Sequence, residues 1–414
     1  MPNIWIKYLF QKIKNYCWHL PNSLFYSLRY GFPQRHFFLI GVTGTDGKTT
    51  TTVLIDELLN RLGFPSFSIN TINSPGLHTT SPHPKNLLPI LIKMKKEGKK
   101  YAVIETTAHG LDQFRFFGFK FNYGIFTNLS HEHLDDFPSQ KEYLEAKLKL
   151  LKNSSKIIFN QDDSSAKTIK SIFDSKKLIS YSLNTKSDFQ AKNLKITPKS
   201  LSFLVNQKQI ITNSPYQYQA YNILAAYSLL TDLNIDHQLV AKNILEFPET
   251  KGRRQNIEND LNIRTIVDFA HTPAALKQTL LSLRETTSGR LIVIFGATGG
   301  RDQSKRPLMG EVVSELSNIA FITSDDTRNE KIEDINQQII NGINQSKVKK
   351  QLFSYYNVPN RQEAFNQAIS LAKPHDTIVA CGKGHETTIL LGNTEYPWSD
   401  AEAFRTAFRL KLNQ

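Results

Sequence analysis

The sequence predicts an α/β protein built from repeated strand, loop and helix units. Short apolar runs recur along the chain and alternate with segments of helical spacing, which is the pattern of mostly parallel sheets. Many of these runs end directly in polar residues. Ligands of open α/β sheets bind beyond the carboxyl ends of the strands, so these polar ends are expected to converge on sites.

The predicted strands form two series. The first is Phe37–Ile40, Tyr101–Ile104, Tyr123–Phe126 and Lys156–Phe159, and the second is Ile263–Val267, Leu291–Phe295, Ile319–Thr323 and Thr377–Cys381. Leu54, Leu58 and Leu62 share one face and predict a helix over Thr50–Leu62. A second helix is expected over Tyr221–Leu233, and residues 182–215 are expected to form short strands and turns at the sheet edge.

A composition shift at Pro248–Arg254 separates the two series. We therefore expect three parts: a short aromatic and basic N-terminal segment (1–36), a central domain (37–250) and a C-terminal domain (251–414). With 414 residues, the chain is long enough for two or three domains.

Composition narrows the function classes. The net charge of +14, from 51 Lys+Arg and 37 Asp+Glu, suits anionic small substrates. The basic residues are not interleaved with aromatic ones as in a nucleic-acid module, so no nucleic-acid partner is expected. Two distant cysteines predict neither a disulfide framework nor a zinc site, and a cytoplasmic setting follows.

The first 30 residues interleave aromatic and aliphatic side chains with lysines, for example Trp5, Tyr8 and Phe10 with Lys7 and Lys12. Charges interrupt the apolar stretch, so it is not a signal peptide. Two interpretations stay open: a helix lying on a membrane surface or a partner, and a helix packed on its own domain.

The segment Gly41–Thr50 (Gly-Val-Thr-Gly-Thr-Asp-Gly-Lys-Thr-Thr) follows a predicted strand and opens a predicted helix. A glycine-rich turn lets backbone N–H groups approach phosphate oxygens, and the helix directs its positive end at them. Lys48 is expected on the β- and γ-phosphates and Thr49 on Mg²⁺. This segment is therefore predicted to be a nucleotide-binding loop, although strict P-loop spacing would place Gly where Val42 stands. For the fold class we expect a central P-loop-type ATPase domain with a mostly parallel sheet and a C-terminal Rossmann-like α/β domain.

Two further segments of the first series end in candidate ligands. Glu105 and His133 follow successive strands, and they either share a Mg²⁺ with the triphosphate or merely cap those strands. Lys147 lies on a predicted helix, where a lone lysine is ordinarily a solvated charge.

Charged loops follow the strands of the second series as well. Asp268 and His271 end one strand, and an aspartate in such a place can accept from ribose hydroxyls. Gly296–Arg306, Ser324–Arg328 and Gly382–Glu386 are the other loops. They offer Asp, Arg and Glu side chains, which are either a clamp for a zwitterionic amino acid or ordinary turn residues.

Taken together, these motifs resemble the Mur ligase family, and within it the MurE type, in collinear order over residues 37–414. The resemblance rests on Thr43–Thr49, Glu105–Gln113, Thr127–Asp135, Glu145–Lys147, Tyr221-Asn222, Gly252-Arg253, Asp268–Pro273, Lys305–Gly310 and Gly382–Glu386. It implies an ATP-dependent acid–amino-acid ligase that forms an acyl-phosphate during peptidoglycan precursor synthesis.

The resemblance also implies roles for individual residues. ATP would be held by Gly44, Thr45, Asp46, Gly47, Lys48, Thr49, Thr50, Asn222, Arg254 or its neighbour Arg253, Asp268 and His271. Mg²⁺ would be held by Thr49, Glu105, His133 and Lys147, the last as a carbamate formed with CO₂. Lys48, Lys147, His133 and Glu105 would be the catalytic set. The muramoyl-peptide would contact Thr80, Ser81, Gln113 and Arg115, and the incoming amino acid would contact Arg301, Asp326, Arg328, Gly382 and Glu386.

The chain departs from the family pattern in three places. The Asp-Asn-Pro-Arg motif of enzymes that use meso-diaminopimelate is replaced here by Asp325–Arg328 (Asp-Asp-Thr-Arg), which keeps Arg328 for a distal carboxylate. Asp46 stands where Asn is usual. Residues 1–36 are too few for the UDP-binding domain that precedes the first strand in MurE enzymes, so the acceptor is either held differently or carries no UDP.

Two rival functions remain at this stage. One is another ligase of the same scaffold, such as a folylpolyglutamate-like enzyme or a different muramoyl-peptide ligase. The other is a non-catalytic nucleotide-binding partner of a cell-wall enzyme.

Overall fold

The computed structural model describes residues 2–73, 80–130, 137–197, 200–214, 216–245, 251–347 and 352–412. The chain divides into two compact units, Met1–Pro248 and Glu249–Gln414. Both are α/β layers around mostly parallel sheets, which confirms the predicted fold class.

The first unit is built on a parallel sheet. Its strands are β1 (Phe38–Thr43), β2 (Ser66–Ile69), β3 (Tyr101–Glu105), β4 (Phe121–Phe126), β5 (Ser154–Asn160), β6 (Leu178–Ser182) and β7 (Phe189–Gln190). Within the described residues these form one seven-stranded sheet in the order β2-β3-β1-β4-β5-β6-β7. The strand order reverses at β1, which is where an open α/β sheet binds ligands.

Helices cover both faces of this sheet. They are α1 (Pro2–Lys14), α2 (Leu20–Arg29), α3 (Lys48–Arg61), α4 (Pro84–Lys96), α5 (Ala108–Asp112), α6 (Gln140–Lys152), α7 (Ala166–Ile172), α8 (Gln217–Asp232) and α9 (His237–Ile244). Short turns of helix lie at Asn15–His19, Pro33–His36 and Ser175–Lys177. One core layer packs α3 and α8 against the sheet, and the other contains residues of α4 and α6.

The region 182–215 contains the short strands that the sequence predicts. Here β8 (Lys192–Ile196), β9 (Leu201–Val205) and β10 (Lys208–Thr212) form a separate antiparallel sheet in the order β10-β9-β8. The alternation of β9, with Leu201, Phe203 and Val205 buried, directs one face of this small sheet into the core.

The second unit repeats the α/β pattern with another topology. Its elements are β11 (Gln255–Asn256), β12 (Arg264–Asp268), α10 (Pro273–Arg284), β13 (Leu291–Phe295), α11 (Lys305–Leu316), β14 (Ile319–Ile322), α12 (Ile332–Gln345), β15 (Ser354–Asn357), α13 (Arg361–Leu371), β16 (Thr377–Cys381), β17 (Thr388–Leu391), β18 (Thr394–Pro397) and α14 (Asp400–Leu412). The main sheet runs β11-β12-β16-β13-β14-β15, and only β11 is antiparallel to its neighbour. A hairpin of β17 and β18 follows.

The N-terminal segment is helical, as both interpretations of the sequence expect. Asn15 of this segment is buried and donates to Asp112 at 2.7 Å, and Lys12 pairs with the same carboxylate at 2.6 Å. Burial disfavours the Asp112 carboxylate, but hydrogen bonds from Lys12 and Lys149 outweigh it and hold the pKa of Asp112 below its ordinary value. Along the described chain, no helix is both long and apolar enough to cross a membrane.

A buried ion pair joins the strand ends of the second unit to its last helix. Arg361, at the start of α13, donates to both carboxylate oxygens of Asp400 at 2.8 Å. The same guanidinium donates to the carbonyls of Ser324, at 2.9 Å, and Cys381, at 3.1 Å, which follow or end β14 and β16. Arg361 therefore fixes the two loops that begin at these strand ends.

We expect Arg361→Ala to lower the free energy of unfolding of the second unit by about 3–5 kcal/mol, because it leaves the fully buried Asp400 carboxylate uncompensated. Arg405→Ala, which breaks the exposed pair with Glu402, should cost less than about 1 kcal/mol. Urea unfolding followed by Trp398 fluorescence, in a Trp5→Phe, Trp18→Phe background, measures both. An equal loss of unfolding free energy in the two variants would contradict the stabilising role assigned to the buried Arg361–Asp400 pair.

Candidate functional site

The loop between β1 and α3 has a conformation that only glycine accepts at two positions. Gly44 has φ +151° and Gly47 has φ +78°. A Cβ at Gly44 would lie 1.9 Å from the Thr127 hydroxyl oxygen, and one at Gly47 would lie 2.6 Å from the Asn222 amide oxygen. The loop is thus packed directly against β4 on one side and α8 on the other.

The end of β4 holds this loop through several hydrogen bonds. The Thr45 amide donates to the Asn128 carbonyl at 2.9 Å, and the Asp46 amide donates to the Asn128 side chain at 2.8 Å. Thr127 Oγ1 donates to the Asp46 carbonyl at 2.7 Å. The amides of Thr45 and Asp46 are therefore occupied within the protein. The helix α3 begins at Lys48, directly after the loop, so its positive N-terminal end suits an anion there.

Lys48 lies over the loop, and its ammonium donates to the Thr45 carbonyl at 2.7 Å. This contact places a cation beside the backbone that the sequence predicts to cradle phosphates. The positive end of α3 adds to the same field, so the loop attracts anions both by charge and by dipole.

Hard oxygen ligands meet behind the loop. Thr49 Oγ1 donates to the Glu105 carboxylate at 2.9 Å, and the same carboxylate accepts from the amide and hydroxyl of Thr71 at 3.2 and 3.1 Å. Glu105 is buried at the end of β3. Thr71 is a contact that the sequence analysis missed, since a threonine in a loop gives no signal of its own.

The Thr49 and Glu105 oxygens fit magnesium better than a softer metal. Within the described ranges, no group of three or more His, Cys, Asp or Glu residues could hold a metal. Mg²⁺ characteristically takes one or two protein oxygens and completes its shell with phosphate and water oxygens. His133, the other predicted ligand, lies outside the described residues.

Lys147 is buried on α6, with only 1% of its surface exposed. Its ammonium donates to the Gly44 carbonyl and lies 4.3 Å from the centroid of the Tyr143 ring. The interpretation of Lys147 as a solvated charge is therefore wrong, because the side chain points into the protein at the phosphate loop.

Asn222, on α8, closes the other side of the loop. Its amide oxygen accepts from Thr51 Oγ1 at 3.1 Å, and its nitrogen donates to Gln219 at 2.7 Å. These bonds orient the side chain that limits Gly47 to a residue without a Cβ. Asn222 thus lies at the loop, where the sequence analysis places a nucleotide contact.

The predicted acceptor contacts cluster near Glu105. The guanidinium of Arg115 donates to the Ser81 carbonyl and to Gln113 Oε1 at 2.8 Å. Ser81 Oγ donates to the Glu105 carbonyl at 3.3 Å, and the hydroxyl oxygens of Thr80 and Thr71 lie 3.0 Å apart. The four residues expected to contact the muramoyl-peptide are therefore linked through Ser81 and Thr71 to the Thr49–Glu105 pair.

In the second unit, Asp268 ends β12 and is held from two sides. Arg254 Nε lies 3.4 Å from its carboxylate, and Thr279 Oγ1 donates to it at 3.3 Å. Arg254 also donates to the Gln278 carbonyl at 3.1 Å. His271 comes three residues after Asp268, and its Nδ1 atom lies 2.9 Å from the Phe269 carbonyl oxygen. The structure thus brings Arg254, Asp268 and His271 together at one strand end.

A second cluster surrounds Lys383, whose side chain is 1% exposed. Its ammonium bonds Asp326 at 2.7 Å and Glu386 at 2.5 Å. Burial disfavours the charged form of Lys383, but the surrounding carboxylates outweigh burial and raise its pKa above the ordinary value. Burial raises the pKa of Glu386. Sequence reasoning gave Lys383 no role, although its place between two glycines was a signal of a constrained loop.

Arg328 comes two residues after Asp326 in the sequence, and one N–H donor of its guanidinium makes no hydrogen bond to the described residues. It adopts φ +51°, and its buried Nε has no hydrogen-bond partner among the described residues. Gly299 donates to the Asp326 carbonyl at 2.7 Å, which brings the loop that carries Arg301 onto the Arg328 loop. Arg301 itself is exposed. Gly382 approaches the neighbouring Asp325 so closely that a Cβ would lie 2.6 Å from its carboxylate.

His385 lies between this cluster and the Asp268 strand end. Its ring centroid is 5.0 Å from that of Phe269. Burial lowers the pKa of His385 to about 3, with the charges of Arg253 and Lys251 adding to the effect. The ring is therefore neutral at pH 7 and cannot supply a positive charge to a bound anion.

Comparison with known protein families matches both units of the chain. The Mur ligase middle domain matches residues 42–230, and the domain described as "Mur ligase, glutamate ligase domain" matches residues 252–384. A UDP-N-acetylmuramoyl-L-alanyl-D-glutamate--2,6-diaminopimelate ligase of Clostridium acetobutylicum is 36% identical over 385 residues, which cover 90% of this chain and 78% of that protein. The ligase of the same name from Parabacteroides distasonis is 34% identical and covers 93% of this chain and 81% of its own length.

Solved structures agree with the sequence relatives. A structure titled as a UDP-N-acetylmuramoyl-L-alanyl-D-glutamate--2,6-diaminopimelate ligase superimposes with a TM-score of 0.65 at 28% identity, over 94% of this chain and 82% of the other. A UDP-N-acetylmuramoylalanyl-D-glutamyl-2,6-diaminopimelate--D-alanyl-D-alanyl ligase of Acinetobacter baumannii shares the fold, with a TM-score of 0.70 at 16% identity over 95% of this chain and 80% of the other. With two matching domain families and relatives similar over nine-tenths of its length, the chain belongs to the Mur ligase family.

Proposed function

We propose that this Mur ligase uses ATP to join meso-diaminopimelate, or another diamino acid, to the carboxylate of a muramoyl-L-Ala-D-Glu acceptor. The observation that carries the proposal is the convergence of Lys48, the Thr49–Glu105 oxygens and the buried Lys147 on one phosphate loop. Relatives named as diaminopimelate ligases support the choice of substrates. Peptidoglycan precursor synthesis is the process that this reaction serves.

The first unit is assigned the phosphoryl transfer. A carboxylate oxygen of the acceptor attacks the γ-phosphorus of ATP, the bond to the β-phosphate oxygen breaks, and ADP leaves. Lys48 and the positive N-terminal end of α3 stabilise negative charge on the transferring group. When bound, Mg²⁺ would be held by Thr49 and Glu105, with His133 as a further ligand, and would neutralise charge on the phosphates.

The second step joins the two substrates. The amine of the incoming amino acid attacks the acyl carbon, and the tetrahedral intermediate expels phosphate while the nitrogen loses a proton. Gln113 and Arg115, with Thr80 and Ser81, are assigned to the acceptor. Asn222, Arg254, Asp268 and His271 are assigned to the nucleotide.

The amino acid is assigned to the cluster around Lys383. Arg328 presents an unpaired buried donor, which suits a carboxylate, while Asp326 and Glu386 suit an ammonium group. Arg301 and Gly382 complete the set of predicted contacts. A diamino acid with a distal carboxylate would satisfy Arg328, whereas lysine would leave it unpaired.

Lys147 is proposed to carry a carbamate. Its neutral amine adds to the carbon of CO₂ and loses one proton, which replaces an ammonium with two carboxylate oxygens. Such oxygens are hard ligands for a second Mg²⁺, which an ammonium cannot be. The position of Lys147 at the Gly44 carbonyl supports this role.

The overall reaction is tested by phosphate release across a panel of amino acids, with muramoyl-dipeptide acceptors that carry or lack UDP. We expect release to require ATP, an acceptor and a diamino acid together. Lys48→Met should lower kcat about 100- to 1000-fold, because one donor to the transferring group is lost. The exposed Lys167→Met should retain activity, and no turnover with any combination would overturn the proposal.

The carbamate is tested with ¹³C-labelled bicarbonate and ¹³C NMR of the protein. The unmodified sequence should show one carbamate resonance that disappears in Lys147→Met. The matched control is Lys141→Met, which removes an exposed lysine of the same helix and should keep the resonance. A resonance that survives in Lys147→Met would place the modification elsewhere.

Amino-acid selectivity is tested with Arg328→Ala. Loss of a charged hydrogen bond should raise KM for meso-diaminopimelate by roughly 10- to 100-fold, while KM for L-lysine changes by less than about threefold. Arg409→Ala removes an exposed arginine of α14 and should change neither value. An equal loss with both amino acids would mean that Arg328 does not read the distal carboxylate.

A further inference from the structure

The N-terminal helices expose a large apolar surface that the proposed reaction does not use. Ten of the 23 exposed large hydrophobic side chains among the described residues lie within the first 28 positions. These ten, named here the N-terminal apolar face, are Trp5, Ile6, Leu9, Phe10, Ile13, Tyr16, Trp18, Leu24, Phe25 and Leu28. Phe10 is 68% exposed and Leu28 is 63% exposed. An apolar patch of this kind on a folded surface marks an interaction site.

These helices expose most of their apolar side chains, although Tyr8 and Tyr26 pack against the core. A surface helix normally buries its apolar stripe and exposes its polar side chains. Here the buried side chains are polar: Asn15, Ser23 and Ser27 face the protein, each at most 1% exposed. The bonds from Lys12 and Asn15 to Asp112 therefore hold α1 with its apolar stripe outward.

The face continues across the helical turn Asn15–His19 that joins α1 to α2. Cys17, Trp18, Pro21, Asn22, Phe25 and Tyr26 together line an open cavity of about 400 Å³. The turn Asn15–His19 and the start of α2 thus share one surface rather than two separate patches.

The charged residues beside this surface indicate the chemical class of its partner. The first 45 residues contain no Asp or Glu, whereas Lys7, Lys14 and Arg29 are exposed beside the apolar residues. Lys7 and Lys14 are seven residues apart and lie on the same edge of α1. Lysine is depleted in protein–protein interfaces, but an aromatic and aliphatic stripe flanked by cations is the pattern of a helix lying at an anionic membrane surface.

We propose that the N-terminal apolar face docks onto the surface of a bilayer that contains anionic lipids. The apolar side chains enter the boundary between headgroups and acyl chains, where Trp and Tyr are favoured. Lys7, Lys14 and Arg29 meet the lipid phosphates. This membrane docking does not depend on the ligase reaction, so an experiment without substrates can test it.

Flotation of the full chain with vesicles of phosphatidylglycerol and phosphatidylcholine tests the proposal. We expect the protein to float with these vesicles, to float less at high salt, and to stay at the bottom with vesicles of phosphatidylcholine alone. Fluorescence of Trp5 and Trp18 should shift to shorter wavelength on binding, in a Trp398→Phe background.

Two sets of variants distinguish vesicle binding through the N-terminal apolar face from nonspecific adsorption of the protein to vesicles. Leu9→Asp with Phe10→Asp should weaken vesicle binding at least about tenfold, since two exposed apolar side chains that would enter the bilayer are lost. Lys7→Gln with Lys14→Gln should weaken it by about fivefold for each cation removed. The control, Leu352→Asp with Leu412→Asp, changes residues that are 83% and 61% exposed in the second unit and should bind as the unaltered chain does.

Circular dichroism and thermal unfolding show whether each variant keeps its fold. The proposal is overturned if the folded, unaltered chain fails to float with anionic vesicles. It is also overturned if the Leu9→Asp, Phe10→Asp variant floats as well as the control. A dimer that dissociates in this variant, without vesicle binding in the unaltered chain, would assign the face to a second copy of the protein.

Discussion

The close packing of the phosphate loop is the constraint on which the first unit depends. Gly44 lies against Thr127 and Gly47 lies against Asn222, so neither position has space for a side chain. The same approach lets Lys147 reach the Gly44 carbonyl from α6. One backbone turn therefore sets the positions of residues from β4, α6 and α8, which are far apart in the sequence.

Buried charge has a similar role in the second unit. Arg361 ties the ends of β14 and β16 to Asp400, and Lys383 bonds the carboxylates of Asp326 and Glu386. Isolated charges at such depth would be strongly disfavoured, so each cation persists because its partners surround it. The two clusters explain why loops from separate strands keep a defined arrangement.

The sequence analysis predicted the strands and helices whose bounds depend mainly on neighbouring residues in the sequence. The bounds of β13 and β16 were right, because each is a largely apolar run that follows a charged residue and is followed by a glycine. The first strand continues to Thr43 rather than ending at Ile40, since pairing with β3 and β4 extends it through Gly41. The helix α3 begins at Lys48, two residues earlier than predicted, because Gly47 provides its left-handed cap.

Other features could not be predicted because they depend on tertiary contacts. Arg361 and Asp400 are 39 residues apart, and neither lies in a recognisable motif. The periodicity of α1 predicts two faces but does not tell which one meets the domain. Hydrophobicity alone favours the apolar face inward, whereas the polar contacts to Asp112 determine the opposite orientation.

The two departures in the Asp-Asp-Thr-Arg loop act together. Thr327 donates its amide to the Leu390 carbonyl at 2.8 Å, a bond that proline could not make. Thr327 Oγ1 accepts from Gly392 at 2.9 Å, and Asp326 accepts from the Leu390 amide at 2.9 Å. The loop that presents Arg328 is therefore tied to the β17–β18 hairpin by three hydrogen bonds. Because these bonds restrain the backbone where a proline ring otherwise would, the exchange of Asn-Pro for Asp-Thr keeps Arg328 in a defined position.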